Sequence, residues 1–253
     1  MSGEVHGLRE FYAAPPGLVA ARMLRRRLRL LWPDCAGLDV AALGWGAPYL
    51  GLWRKQPGRR LALTPASLGP MAAQGRRGNA SCAVEETHLP LPDRSLDRLL
   101  LVHALEGSEQ ARALLRECWR VLRDDGRLLV VVPNRLGTWS FFDHTPFGQG
   151  RPYSSGQLKG LLEGQLFHVR RQDAALCVPP FPWAFALKGA PAWEVVGRAV
   201  PRLAGLVLLE AEKDLFAALP AGAVAVKRRV VMPVSAAARR EGVSAAEAGS
   251  ARS

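Results

Sequence analysis

The chain is expected to fold as an α/β domain built on a doubly wound, mostly parallel sheet with helices on both faces. Three observations predict this. Short apolar runs alternate with helical stretches along most of the chain, as in parallel strands buried on both sides. The first run, Leu38 to Leu43, breaks at Gly44-Trp45-Gly46, where a strand hands over to a turn and then a helix. In such sheets, nucleotide-like ligands sit in the crevice at the carboxyl end of the first strand. The chain also has 253 residues, 49% of them hydrophobic and 22% charged, enough for one large buried core.

Taken in order, Leu8 to Trp32 reads as a helix or helix pair interrupted at Pro15-Pro16. Leu18, Ala21, Leu24, Leu28 and Leu31 recur there at helical spacing, with Arg22, Arg25, Arg26 and Arg29 on the other faces. Phe11 and Tyr12 precede the break, placed either to fold over a pocket or to join the core. After the first strand, Tyr49 to Trp53 opens a short helix that ends near Pro57-Gly58. Arg60 to Thr64 is a second strand, Gly69 to Gly78 a glycine- and arginine-rich loop, and Ala80 to Val84 a third strand closing on Glu85-Glu86.

The proline-punctuated stretch Leu89-Pro90-Leu91-Pro92-Asp93-Arg94-Ser95-Leu96-Asp97 leads into a buried strand, Arg98 to Val102, with His103-Ala104-Leu105-Glu106 at its carboxyl end. Ser108 to Leu122 reads as an amphipathic helix that turns Ala111, Leu114, Leu115, Cys118 and Leu122 inward. Asp124-Asp125-Gly126 then turns the chain into the strand Arg127 to Val132, ending at Pro133-Asn134. Trp139 to Tyr153 is rich in aromatics, glycine and proline and is expected to be a long functional loop. Ser154 to Glu163 is a helix capped by Ser154 or Ser155, and Phe167 to Cys177 and Leu206 to Lys213 are further strands. The resulting division is an N-terminal helical cap (1–33), one α/β domain (34–235) with an apolar insertion near 179–203, and a disordered tail (236–253) whose small, charged composition builds no core.

The formal charge of +12 raises the question of a polyanionic partner. Arginine supplies the excess in a chain also rich in Ala, Gly, Pro and Leu, which points to a GC-rich coding sequence. What remains is an expected weak contact with a membrane surface or nucleic acid through the basic N-terminal helix. Cys35, Cys82, Cys118 and Cys177 are widely spaced and read as reduced core thiols, with no metal or disulfide framework. Neither an apolar export signal nor an uninterrupted apolar span is present in the sequence, and a cytoplasmic location is expected. The oligomeric state is left open.

With these residues in view, Leu8 to Lys213 resembles the class I S-adenosylmethionine-dependent methyltransferases, whose fold is Rossmann-like, and most of all their small-molecule type-11 branch. The most specific part runs from Leu89 to Asn134. It holds the Leu-Pro-x-Pro-Asp-x-Ser-x-Asp loop, a strand, the helix Leu115-Arg116-Glu117-Cys118-Trp119-Arg120-Val121-Leu122, then Asp-Gly-Arg and an apolar strand. The segment Thr145-Pro146-Phe147-Gly148-Gln149-Gly150-Arg151-Pro152-Tyr153 is also similar to a proteobacterial group of methyltransferase-domain proteins.

The resemblance implies S-adenosyl-L-methionine as cofactor and a small, apolar or aromatic molecule as methyl acceptor, with no metal. By position, Gly44 and Gly46 match the glycines under the methionine part of the cofactor. Glu85, or its neighbour Glu86, matches the acid that accepts from the adenine amino group. Val102, within Leu101 to His103, borders the sulfonium. Three positions depart from the family. Ala42 stands where an acid holds the cofactor's amino group, Pro48 where a third glycine is usual, and Thr64 where an acid binds the ribose hydroxyls. They raise the alternative of a non-catalytic binding protein that kept the fold and lost cofactor affinity.

Methyl transfer from a sulfonium depends mainly on positioning, with one base where the acceptor must lose a proton. His103 is the expected base, because imidazole exchanges protons at neutral pH. Glu106 stands where it orients His103 or simply starts the next helix. Asn134, Arg135 and Tyr153 are the expected acceptor-binding residues, with His144 and Arg151 in the same loop. Phe141, Phe142, Phe181, Trp183 and Trp193 suit an apolar acceptor or the core.

Overall fold

Two helices open the chain, α1 (Ser2–Ala13) and α2 (Pro15–Leu31), and Pro15-Pro16 separates them because proline suits a helix's first turn and interrupts an earlier one. The computed structural model describes residues 2–66, 79–141, 145–148, 150–177 and 204–215. The expected loop at Gly69 to Gly78, the insertion near 179–203 with Phe181, Trp183 and Trp193, the residues Phe142 and His144, and the tail from Ala236 lie outside the described residues, as does the Phe141 side chain.

Seven strands form one sheet in the order β3-β2-β1-β4-β5-β7-β6. They are β1 (Val40–Gly44), β2 (Arg60–Pro65), β3 (Asn79–Val84), β4 (Leu96–Val102), β5 (Leu122–Pro133), β6 (Phe167–Ala175) and β7 (Leu206–Lys213). Strands β1 to β5 pair in parallel, while β7 runs antiparallel to β5 and β6. The strand order reverses between β1 and β4, so their carboxyl ends, Gly44 and Val102, face each other in register at the switch point.

Alternate residues along each strand feed opposite faces. Val40 and Ala42 pack with Leu24 and Leu28 of α2 and with Leu8 and Phe11 of α1. Ala41 and Leu43 pack with the other face's helices, α4 (Ala111–Val121) and α5 (Ser155–Glu163), through Leu114, Leu115, Cys118, Leu158 and Leu162. The layered α/β architecture expected from the sequence is the one observed.

Four details differ from the expectation. In α2 the buried stripe is Gly17, Val19, Ala20, Leu24, Leu28 and Leu31, and Leu18 is exposed; the start of the helix turns Leu18 toward solvent beside the arginines. The helix after β1 is a single turn, α3 (Ala47–Leu50), which starts two residues before Tyr49 and stops at Leu50 rather than running on toward Pro57-Gly58; Pro48 suits its first turn. The Asp124–Gly126 turn is absorbed into β5: pairing with β4 jumps from Leu96↔Leu122 to Arg98↔Arg127, so the extra residues bulge outward. Among the cysteines, Cys35 and Cys118 are buried, Cys177 is partly so, and Cys82 is exposed because its β3 position faces solvent.

Two arginines hold the loops that shape the sheet's ends. The buried Arg60 donates to the carbonyls of Leu38, Arg59, Cys35, Trp53 and Pro57, gathering the β1–β2 connection around one guanidinium. Arg120 of α4 donates to the carbonyls of Leu89 and Leu91 and to Asp93 Oδ1 at 2.6 Å. Glu117, one turn earlier, accepts from the Leu89 amide and from Arg120. The guanidinium beside it holds the Glu117 carboxyl below the usual carboxylate range. The helix motif and the proline loop are therefore one clamp. Arg120→Met is expected to lower unfolding stability by about 2–3 kcal/mol, since several charge-assisted bonds are lost and loop carbonyls are left unpaired; urea denaturation measures it.

Candidate functional site

Gly44 ends β1 with φ +79°, a left-handed conformation that suits glycine. A Cβ there would sit 2.3 Å from the Val102 carbonyl oxygen and 2.9 Å from the Ala104 Cβ. The Trp45 amide donates to that same Val102 oxygen at 2.6 Å, pinning the turn to the end of β4. Gly46 rests on Ala42: its missing Cβ would lie 2.6 Å from the Ala42 Cβ. The close approach of the turn to Ala42 is therefore one that glycine at position 46 permits.

At the end of β4, His103 also has a positive φ, +50°, uncommon for a residue with a side chain. It turns the imidazole into a buried polar network. His103 Nδ1 lies 2.7 Å from Glu106 Oε1 and Nε2 lies 2.7 Å from the Tyr12 hydroxyl. With Glu106 ionised, Nδ1–H donates to the carboxylate, and Nε2 is left as the acceptor for the Tyr12 O–H. Burial, and after it the neighbouring Tyr49 and Glu106, push the Tyr12 phenol well above its usual range, so it stays a neutral donor.

Aromatic rings surround this network. Tyr12 stacks on Trp45 with centroids 5.4 Å apart and planes at 17°. Phe11 meets Tyr12 edge-on at 5.2 Å, and Phe147 packs against His103 at 5.5 Å. Trp139 closes against Phe147 at 5.3 Å. The N-terminal helix and the loop after β5 therefore meet over the switch point. The loop is fastened there by the Arg151 amide, which donates to the Glu106 carbonyl at 2.9 Å.

The remaining expected residues fall at the same sheet edge, with different engagements. Thr64, near the end of β2, is buried and its Oγ1 has no hydrogen-bond partner among the described residues. After β3, Glu85 is exposed and accepts from Thr87 Oγ1 at 2.9 Å. Glu86 turns inward instead and accepts from the buried Ser108 Oγ at 2.6 Å. Asn134 uses its side chain on the backbone, donating to the Ala204 carbonyl at 2.8 Å and accepting from the Leu136 amide at 3.1 Å. Arg135 is exposed, and its amide donates to the Tyr153 carbonyl at 3.1 Å. Tyr153 is half-buried, and its phenol is pushed up by burial first and then by the Glu106 carboxylate. Sequence reasoning did not find the link of Tyr12 to His103, the roles of Trp45 and Phe147, or Ser108. Only the aromatic pair before Pro15-Pro16 pointed that way.

Fit to an adenosyl sulfonium is tested by the buried polar atoms left over. Thr64 Oγ1, Glu106 Oε2 and the Tyr49 hydroxyl have no hydrogen-bond partner among the described residues, and leaving such atoms unmet costs about 1–3 kcal/mol each. The Tyr49 hydroxyl approaches Tyr12 but makes no hydrogen bond of normal geometry. These residues stand just after β1, near the end of β2 and after β4, around the switch point, where a polar ligand would satisfy them. The residues present fit the group. Among the described residues no cluster of His, Cys, Asp or Glu is arranged to hold a metal ion, and no helix is long and apolar enough to cross a membrane.

Comparison with known proteins gives the same direction. A methyltransferase-domain family model matches residues 43–130, from the end of β1 into β5. A Mycolicibacterium smegmatis protein assigned as an S-adenosylmethionine-dependent methyltransferase is 31% identical over 168 residues, covering 61% of this chain and 63% of its own length. A Mycobacterium tuberculosis protein with the same assignment is 36% identical over 90 residues, covering 35% of this chain and 31% of its own. The chain thus spans less than two thirds of these relatives. Among solved structures, the complex between the Haloferax volcanii Trm112 methyltransferase activator and a methyltransferase matches with a TM-score of 0.61 at 17% identity, over 84% of this chain and 98% of that one. A methyltransferase from Thermotoga maritima matches with a TM-score of 0.59 at 16% identity, over 81% and 94%.

Proposed function

We propose, on the premise that this chain belongs to the class I S-adenosylmethionine-dependent methyltransferases, that it transfers a methyl group to a small apolar or aromatic acceptor with His103 as the base. The observation that carries this reading is the buried Glu106–His103 pair at the end of β4, bordered by unmet polar atoms on the same sheet edge. A carboxylate-oriented imidazole at the end of a central strand supports the catalytic reading over the binding-only one.

When bound, S-adenosylmethionine supplies a methyl group that is already electrophilic, so the protein's work is to position and to move one proton. The turn at Gly44 and Gly46 would hold the amino-acid part with its backbone, beside the buried Tyr49 hydroxyl. Thr64 would take the ribose, and Glu86, with Glu85 beside it at the surface, the adenine. Val102 and His103 would border the methyl. Glu106 orients His103 and stabilises the imidazolium that forms when the acceptor's proton reaches Nε2. Asn134 holds the loop after β5, while Arg135 and Tyr153 flank the acceptor's approach.

Two consequences are measurable. A labelled methyl group from the cofactor is transferred to a component of a cell extract by the wild-type chain, and no incorporation would sink the reading. Thr64→Asp restores the carboxylate that the family uses at this position. It is expected to tighten S-adenosylhomocysteine binding about tenfold, the size of one charge-assisted hydrogen bond, while lowering the stability of the free protein through an unpaired buried charge. Calorimetric titration and thermal unfolding read the two effects.

The exposed face of α2, with Arg22, Arg25, Arg26 and Arg29 beside Leu18, and with no acidic residue in the helix, supports weak contact with an anionic surface. Binding to anionic liposomes that falls away with salt is its test.

A further inference from the structure

Tyr12 presents to His103 what a methyl acceptor would have to present. Its ring lies flat on Trp45, 5.4 Å between centroids at 17°. The ring is bordered edge-on by Phe11 at 5.2 Å, and its hydroxyl is 2.7 Å from His103 Nε2, the nitrogen left as acceptor once Nδ1–H is committed to Glu106. The ring comes from α1, which precedes the sheet and is joined to the rest through the Pro15-Pro16 corner. Tyr12 itself is only half-buried as a residue, although its hydroxyl faces inward. The base is thus saturated by an internal phenol held on a part of the chain that is not in the sheet.

We infer that the acceptor is a phenol, a planar hydroxylated ring that takes the Tyr12 ring's place on Trp45 and gives its proton to His103 Nε2. The inference rests on the methyltransferase reading above and names its substrate class. The chemistry closes: the phenol oxygen forms the new O–CH3 bond with S-adenosylmethionine as the methyl donor. The electron pair of the broken S–C bond stays on the donor's sulfur, and the phenol proton passes to His103. Tyr12 then acts as a stand-in that keeps the imidazole paired and dry until an acceptor competes it away. An amine or carboxylate acceptor has no reason to meet a site shaped for a ring stacked on indole with one O–H at its rim.

The test uses the full chain and the variant Tyr12→Phe, which keeps the ring and removes only the competing hydroxyl. Each is titrated with 4-methylphenol and with toluene, following tryptophan fluorescence. The expected result is saturable binding of 4-methylphenol that tightens at least fivefold in Tyr12→Phe, with toluene at least fivefold weaker than 4-methylphenol in that variant. Adding His103→Phe should erase the difference between the two probes. Equal binding of the two, no change between wild type and Tyr12→Phe, or no saturation with 4-methylphenol would each overturn the inference. S-adenosylhomocysteine is titrated separately into the same samples. Failure there removes the methyltransferase reading, whereas normal binding there beside failure of the phenol contrast removes only the acceptor class.

Discussion

Gly44→Ala is expected to lower the thermal unfolding midpoint by roughly 8–16 °C, the shift that about 4 kcal/mol gives in a domain of this size. Two costs combine. A residue with a Cβ pays for the left-handed backbone at φ +79°, and its methyl group would have to enter the 2.3 Å gap to the Val102 carbonyl oxygen. That oxygen also accepts the Trp45 amide, so relieving the clash pulls β1 and β4 apart where their ends meet. Circular dichroism against temperature measures the loss. A shift below about 2 °C, worth less than 1 kcal/mol, would mean that the turn is looser than its geometry indicates.

His103→Gln is expected to lower kcat/KM for methyl transfer by about 10²–10⁴, the range associated with removal of a positioned general base. Glutamine keeps a polar side chain of similar reach but cannot take up the acceptor's proton. Cofactor binding should be spared, because the glycine turn, Thr64 and Glu86 are untouched. The comparison uses labelled methyl incorporation for rate and calorimetric titration for affinity. Loss of affinity with an unchanged turnover of bound complex would assign His103 to holding the cofactor instead.

Much of the architecture was legible before any coordinates, for physical reasons that particular segments make clear. The runs Val40 to Leu43 of β1, Leu99 to Val102 of β4 and Leu206 to Leu209 of β7 are buried on both faces, so their apolar character is continuous and these stretches are readable from composition. Ser154 announces α5, where it forms a capping box with Gln157. The start of α4 was less clear. Ser108 looks like a cap, and its hydroxyl does accept the Gln110 amide while donating to Glu86, but that bond closes a turn ahead of the helix, which begins at Ala111. The bulge at Asp124–Gly126 reads as a turn because polar residues and glycine serve both purposes.

The site was legible in its parts and not in its connections. Gly44 and His103 stand beside recognisable strand ends, so local patterning finds them. The bond from Tyr12 to His103 joins residues 91 positions apart, and no local pattern encodes that. Between Glu85 and Glu86 the choice depends on which carboxylate turns inward after β3. The structure brings Glu86 to Ser108, while Glu85 stays on the surface. Asn134 looked available for an acceptor, yet tertiary contact with the Ala204 carbonyl engages its amide.

The central claim is that the switch point beside Gly44 receives an adenosyl sulfonium although Ala42 and Thr64 have replaced two acids. Titration of the purified chain with S-adenosylhomocysteine by calorimetry tests it most directly. The account predicts saturable binding at one site per chain with a Kd below about 1 mM, equivalent to about 4 kcal/mol of binding free energy. No saturable heat at that concentration, from protein shown to be folded, would contradict it.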